Sequence, residues 1–163
     1  FDDMKKSIDT RDDAQLADYL NALVDGKAFD GKGLIYGIGH AVYSISDPRA
    51  KIFREFVEKL SFEKGLHEEY ELYRRVETLA PEIIGKKRKI YKGVSVNVDF
   101  YSGFAYRLLN IPVELYTPIF AIARMAGWSA HRMEELVNAG KIIRPAYASV
   151  AERRSYVPMK ERK

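Results

Sequence analysis

The sequence predicts an all-α protein, and three observations carry that reading. Apolar residues recur at three- and four-residue spacing in several long segments, the period of a helix face rather than of a strand. Helix start and stop residues sit at the ends of those segments. No stretch suggests a sheet of any size. At 163 residues and 47% apolar content, the chain suits one domain or one and a fraction and can bury a core.

The elements follow in order. After Asp12 and Asp13, residues Leu16, Tyr19, Leu20, Leu23 and Val24 share one helix face, and Gly26 is placed to end it. This is the one clear helix signal in residues 1–30. Residues 31–46 hold four glycines and read as a loop. Asp47-Pro48 opens the next helix: aspartate can accept backbone N–H bonds as an N-cap, and proline suits the first helical position. Ile52, Phe53, Phe56, Val57 and Leu60 form its apolar stripe. A further helix runs from about Leu66 to Ile84, with Leu66, Tyr70, Tyr73, Val76, Leu79 and Ala80 inward and Gly85 as its stop. Residues 86–96 form a basic loop or short extended piece. Asp99 to Leu109 reads as helical, ending before Ile111-Pro112. The stretch from Val113 to Val137 is apolar on nearly every face through TPIFAIARMAGWSA, which marks a helix buried all round or packed on another subunit. Residues after 138 show no strong period.

Composition narrows the function classes. There are no cysteines, so no disulfide or thiolate–metal site is possible, and no metal site is expected. A cysteine-free chain suits a reducing compartment, here the cytoplasm. No apolar run approaches the roughly 18 residues of a membrane span. The chain starts at Phe1 without a signal-peptide pattern and reads as a piece of a longer polypeptide. Net charge is +4, with clusters at residues 86–89 and in the tail. These read as solvated basic patches, since no nucleic-acid recognition motif accompanies them.

Chemistry concentrates in a few places. In GIGHAVYSISDPRA, residues 37–50, Gly37 and Gly39 allow sharp turns and close backbone approach to a ligand. His40 follows on the loop; a lone histidine is more often a satisfied structural residue, but Arg49 lies nearby in a helix first turn. A cation there opposes the helix dipole, so another reason must select it. Arginine is the natural bidentate partner of a carboxylate, and a helix N-terminus adds N–H donors. In NVDFYSG, residues 97–103, Asp99 can be an N-cap or a general base in a partly apolar site. Arg124 sits inside an apolar helix, where an unpaired charge is costly; it either snorkels or meets an anion. Arg144, before a proline in IIRPAY, reads alone as a surface loop residue.

With these motifs in view, the chain resembles the citrate synthase family, including its 2-methylcitrate synthase relatives. The marks are GIGHAVYSISDPRA, NVDFYSG, YTPIFAIARMAGWSAH, IIRP and YVP, in order, across roughly residues 15–158. The resemblance implies a multi-helical small domain with flanking large-domain helices: residues 1–30 as a helix from the large-domain side, 31–112 as the catalytic, CoA-binding small domain, and 113–163 as its end plus a large-domain and dimer segment. It implies condensation of acetyl-CoA with oxaloacetate to citrate, or of propionyl-CoA in the 2-methylcitrate case. The acyl-CoA is a co-substrate, with no tightly bound cofactor, and a homodimer is the expected assembly, with neither nucleic acid nor membrane as partner. His40 resembles the histidine that binds oxaloacetate and polarises its ketone. Asp99 resembles the base acting on the acetyl group. Arg49 and Arg124 resemble arginines that grip the carboxylates, and Arg144 one that enters the partner subunit's site. Ile35, Tyr36, Gly37, Ile38 and Gly39 resemble the loop that recognises the CoA adenine, with Asn97 nearby.

The chain also departs from the family. The half that supplies a second active-site histidine, in an HGGAN-like motif, has no counterpart here, and neither His67 nor His131 sits in such a context. The chain alone is therefore expected to be inactive. A non-catalytic helical module that binds CoA or a partner protein is the other class kept open, although such a module has no need of a base.

Overall fold

The computed structural model describes residues 1–90, 93–138 and 155–162. Its helices are α1 (Asp2–Ser7), α2 (Asp13–Val24), α3 (Pro48–Glu63), α4 (His67–Arg88), α5 (Val98–Leu108) and α6 (Tyr116–Asn138), with short 3-10 turns at Val113–Leu115 and Met159–Glu161. Among the described residues the only strand-like pairing is an isolated antiparallel bridge between Ile38 and Val96. The chain divides into two compact units, Phe1–Ile119 and Phe120–Lys163. Among the described residues no helix is long and apolar enough to cross a membrane.

In the first unit the caps fix where helices start. The Asp12 carboxylate accepts from Ala14 N (2.8 Å) and opens α2, and Gly26, at φ 69°, turns the chain away after it. Asp47 caps α3 and Asn97 caps α5, each accepting from the backbone two residues on. The core lies where α2, α3 and α5 meet α4. Leu16 and Leu20 of α2, Val57 of α3, Val76 and Ala80 of α4, and Tyr101 and Phe104 of α5 are all buried. Tyr73 stacks on Phe104 at 4.6 Å between ring centroids and meets Phe100 edge-on at 5.4 Å. The Tyr101 hydroxyl donates to Glu77 at 2.7 Å, and Glu77 also pairs with Arg74 and Arg54, which ties α3, α4 and α5 by one half-buried polar junction. Burial and then the bonded Glu77 push the Tyr101 hydroxyl well above the ordinary tyrosine pKa.

Several elements differ from expectation. α1 is a short helix that the sequence pattern does not reveal; only Met4 anchors it in the core. Gly85 does not stop α4. The helix runs on to Arg88 and ends at Lys89 in the left-handed conformation, with Ile90 N bonded back to the Gly85 carbonyl (3.1 Å). Residues 86–88 are thus helical and all engaged within the unit: Lys86 pairs with Glu82 (3.6 Å) one turn back, Lys87 reaches the Asn21 carbonyl and Asp25 at the end of α2, and Arg88 donates to the Gly33 carbonyl. On α3 the buried line is Ala50, Val57 and Ser61, with Phe53 and Leu60 packed against the core, whereas Ile52 (56% exposed) and Phe56 (68%) face outward. The inward face lies one stripe over from the one the apolar pattern suggests. Leu66 is likewise exposed, because the chain turns there before α4.

The second unit, taken by itself, is the greater part of α6 with the short turn near the end of the chain. None of the α6 residues is buried, and its surface is held by helical neighbours such as Arg132–Glu135 (2.8 Å).

Candidate active site

The loop before α3 folds around its own histidine. His40 Nδ1 accepts from the backbone N–H of Val42 (3.0 Å) and of Tyr43 (3.1 Å). With that nitrogen used as an acceptor, the neutral imidazole carries its proton on Nε2, which points outward as a donor. Next to it stands the Arg49 guanidinium, with Nη2 3.4 Å from His40 Nε2. Tyr43 lies against both, its ring centroid 4.9 Å from that of His40 and 5.6 Å from the Arg49 guanidinium carbon. Two donors thus face the same space, and among the described residues no carboxylate or carbonyl bonds to both there, the arrangement that an oxygen anion or a polarised carbonyl would complete.

Asp99 is joined to the His40 loop through Asn97. The Asp47 hydrogen bonds hold Arg49 above the ordinary arginine range, and the Asp99 carboxylate adds a smaller electrostatic contribution in the same direction. Asp99 is exposed in the first turn of α5, where the helix N-terminus favours a carboxylate. It is not the N-cap; that position is Asn97, whose side chain accepts from Asp99 N at 2.9 Å and donates to the Gly39 carbonyl at 2.8 Å. Asn97 therefore joins the residue before His40 to the residue that carries the carboxylate. Two backbone bonds flank it, Gly39 N to Ser95 O (2.8 Å) and Asn97 N to Gly37 O (2.9 Å). Gly37 makes this docking possible. It adopts φ 81°, and a Cβ there would sit 2.8 Å from Phe100 Cα.

The loop of residues 35–39 divides its side chains between two sides. Ile35, Ile38 and Gly39 line a cavity of about 150 Å³ together with His40, Tyr43 and Arg88. Tyr36 turns elsewhere, donating to Asp30 at 2.6 Å with Phe29 edge-on to its ring. The other histidines take structural roles: His67 stacks on Phe62 at 3.6 Å, and His131 is an exposed residue of α6. In the second unit, Arg124 lies over the Phe120 ring at 5.0 Å, one turn back on the same helix. Arg144 lies outside the described residues.

Sequence reasoning missed two participants. Tyr43 gave no signal, because its place between His40 and Arg49 depends on how the loop curls. Asp47 was read as a cap alone, yet its buried carboxylate also takes the Arg49 side chain at Nε (3.0 Å) and Nη2 (2.9 Å). The Arg49 hydrogen bonds hold its carboxyl below the usual range. The D-P-R spacing, one residue between acid and base at a helix start, was the available hint.

Residues 2–146 match the family model described as citrate synthase, C-terminal domain. The chain belongs to the citrate synthase family. A citrate synthase of Synechocystis sp. is 45% identical over 137 residues, 83% of this chain and 33% of that protein. A 2-methylcitrate synthase of Shewanella oneidensis is 37% identical, over 93% of this chain and 36% of that protein. Among solved structures, the ternary complex of carboxymethyl coenzyme A and oxaloacetate with citrate synthase from Thermoplasma acidophilum superposes with a TM-score of 0.66 at 36% identity, over 94% of this chain and 39% of that one. The chain thus spans between a third and two-fifths of the length of these citrate synthase relatives. An all-helical chain of this family is what the sequence pattern predicts.

Proposed function

We propose that this chain supplies the condensing residues of a citrate synthase, joining the acetyl group of acetyl-CoA to oxaloacetate to give citrate and CoA. The observation that carries the reading is the pairing of His40 and Arg49, two outward donors 3.4 Å apart with His40 Nδ1 saturated by backbone, on a loop that Asn97 ties to Asp99. Asp99 takes a proton from the methyl carbon next to the thioester. That carbon attacks the ketone carbon of oxaloacetate, and the His40 Nε2–H stabilises the charge that develops on the ketone oxygen. Arg49 holds a carboxylate of the same substrate, which fixes the ketone against the histidine. Water then cleaves the thioester and releases CoA. Arg124 grips oxaloacetate as well, and Arg144 reaches the site of a second subunit in a homodimer. The Ile35–Gly39 loop receives the adenine end of CoA, with the cavity beside His40 as its floor; Asn97 serves that site by holding the loop in place. The group is a co-substrate rather than a resident cofactor.

The 2-methylcitrate reading has one observation in its favour, the 37% identity to a 2-methylcitrate synthase. It differs only in the acyl group. The test uses the complete enzyme and follows free thiol release with acetyl-CoA or propionyl-CoA. Acetyl-CoA is expected to be turned over with the higher kcat/KM. Asp99→Asn is expected to keep oxaloacetate binding and lose turnover by at least about a hundredfold, the lower range for a general base. Arg124→Leu is expected to weaken oxaloacetate binding. Near-normal turnover by Asp99→Asn overturns the assignment of the base.

A further inference from the structure

Asp47 makes more contacts than a helix cap requires. Its side chain is fully buried, and each carboxylate oxygen takes two donors. Oδ1 accepts from Arg49 N (2.9 Å) and Arg49 Nε (3.0 Å); Oδ2 accepts from Arg49 Nη2 (2.9 Å) and Val98 N (3.2 Å). Capping α3 uses only the first of these. The Val98 bond anchors the first residue of α5, one position before Asp99. The two side-chain bonds grip one edge of the guanidinium in the bidentate geometry that fixes an arginine in plane.

A guanidinium has five N–H donors arranged along two usable edges. Asp47 occupies the Nε/Nη2 edge. The Nη1/Nη2 edge has no acceptor among the described residues, and it is the edge beside His40 Nε2. We propose that Asp47 is a positioning residue: by holding one edge of Arg49 while anchoring the start of α5, it aims the other edge at the substrate carboxylate in fixed register with His40 and Asp99. The inference rests on the reading of Arg49 as a carboxylate-binding residue. Two effects compete. Asp47 neutralises part of the charge that would attract an anion, and it removes the rotational freedom that Arg49 would otherwise lose on binding. Burial of the carboxylate and its four donors favour the second, since a half-exposed arginine without a partner would be held by little else.

The complete enzyme with Asp47→Asn separates these roles. Asparagine caps helices as well as aspartate does, so α3 retains its start. The amide cannot offer two acceptor oxygens, so the bidentate grip is lost. KM for oxaloacetate is expected to rise on the order of ten- to hundredfold, the range for losing a hydrogen bond to a charged group, while kcat changes much less. In an Arg49→Ala background the same substitution is expected to change KM less than about twofold, because Asp47 acts through Arg49. A crystal structure of Asp47→Asn is expected to show the Arg49 side chain rotated away from its present plane. Should Asp47→Asn fail to fold, Asp47→Ser keeps a capping oxygen and takes its place in every measurement. An unchanged or lowered KM, or an equal effect in both backgrounds, overturns the proposal. A wild-type enzyme without condensing activity overturns instead the functional reading, and the crystal structure of the variant then decides the role of Asp47 alone.

Discussion

Gly37 and Gly39 flank one residue, Ile38, and both adopt positive φ, yet they are glycine for different reasons. At Gly37 a side chain would collide with the backbone of Phe100, while at Gly39 it would meet open space. Alanine at 39 is therefore expected to cost about 1–2 kcal/mol, the strain of a left-handed backbone alone. Alanine at 37 adds overpacking of about 1–3 kcal/mol against the start of α5 and displaces the loop from it. Urea unfolding of the two variants checks the order, and equal destabilisation speaks against the docking described. Asp47 carries a pH signature of its own. Its folded-state pKa is depressed, first by the Arg49 hydrogen bonds. Its contribution to stability is thus present above the unfolded value of about 3.9 and is lost as pH falls through the lower folded value. Wild type is expected to lose more stability below about pH 4 than Asp47→Asn, measured as the difference in urea midpoint at pH 5 and pH 3. At this scale the sequence disclosed residue types and not their partners. Asp47 was visible as a cap because capping depends on its neighbours in the chain. Its second role depends on a side-chain rotamer and on α5, which lies some fifty residues away.

Helices were legible where their boundary chemistry was local. Asp12 and Asp47 stand at the observed starts of α2 and α3, whereas at α5 the cap is Asn97 and not the Asp99 that the sequence offered. Gly85 misled because a glycine inside a helix costs only about 1 kcal/mol, which the contacts of Lys87 and Arg88 beyond it offset. α1 was missed because six residues with one buried anchor show no period. The α3 stripe was misplaced because Ile52 and Phe56 are as apolar as the residues that face the core. Only the position of α4 and α5 decides which side turns inward. This has a direct consequence for mutation. Phe104→Ala removes a fully buried ring from the stack on Tyr73 and is expected to cost about 3–5 kcal/mol. Phe56→Ser, on the outward stripe, is expected to stay within about 0.5 kcal/mol in this chain. Denaturant titration followed by circular dichroism distinguishes them. A large loss at Phe56 would place it in the core after all.

On the scale of the molecule, the chain corresponds to between 33% and 39% of the citrate synthases and 2-methylcitrate synthase compared with it. His40, Arg49 and Asp99 all lie on the surface of the first unit rather than in an enclosed pocket. Condensation needs water excluded and the enol oxygen held by a further donor, and removal of one such donor costs about a hundred- to a thousandfold. The isolated chain, mixed with acetyl-CoA and oxaloacetate, is therefore expected to release no measurable free thiol. Clear turnover would mean that the catalytic set is complete within these residues. The bonds that join Gly37 and Gly39 to Ser95 and Asn97 bear on how such an enzyme can move. They join His40 and Asp99, proposed above to polarise the ketone and to abstract the proton, through one set of hydrogen bonds. On that proposal, their separation is set by these bonds within a single unit. A substrate held between this unit and a facing surface would then meet both groups at once, with the facing surface as the part left to adjust.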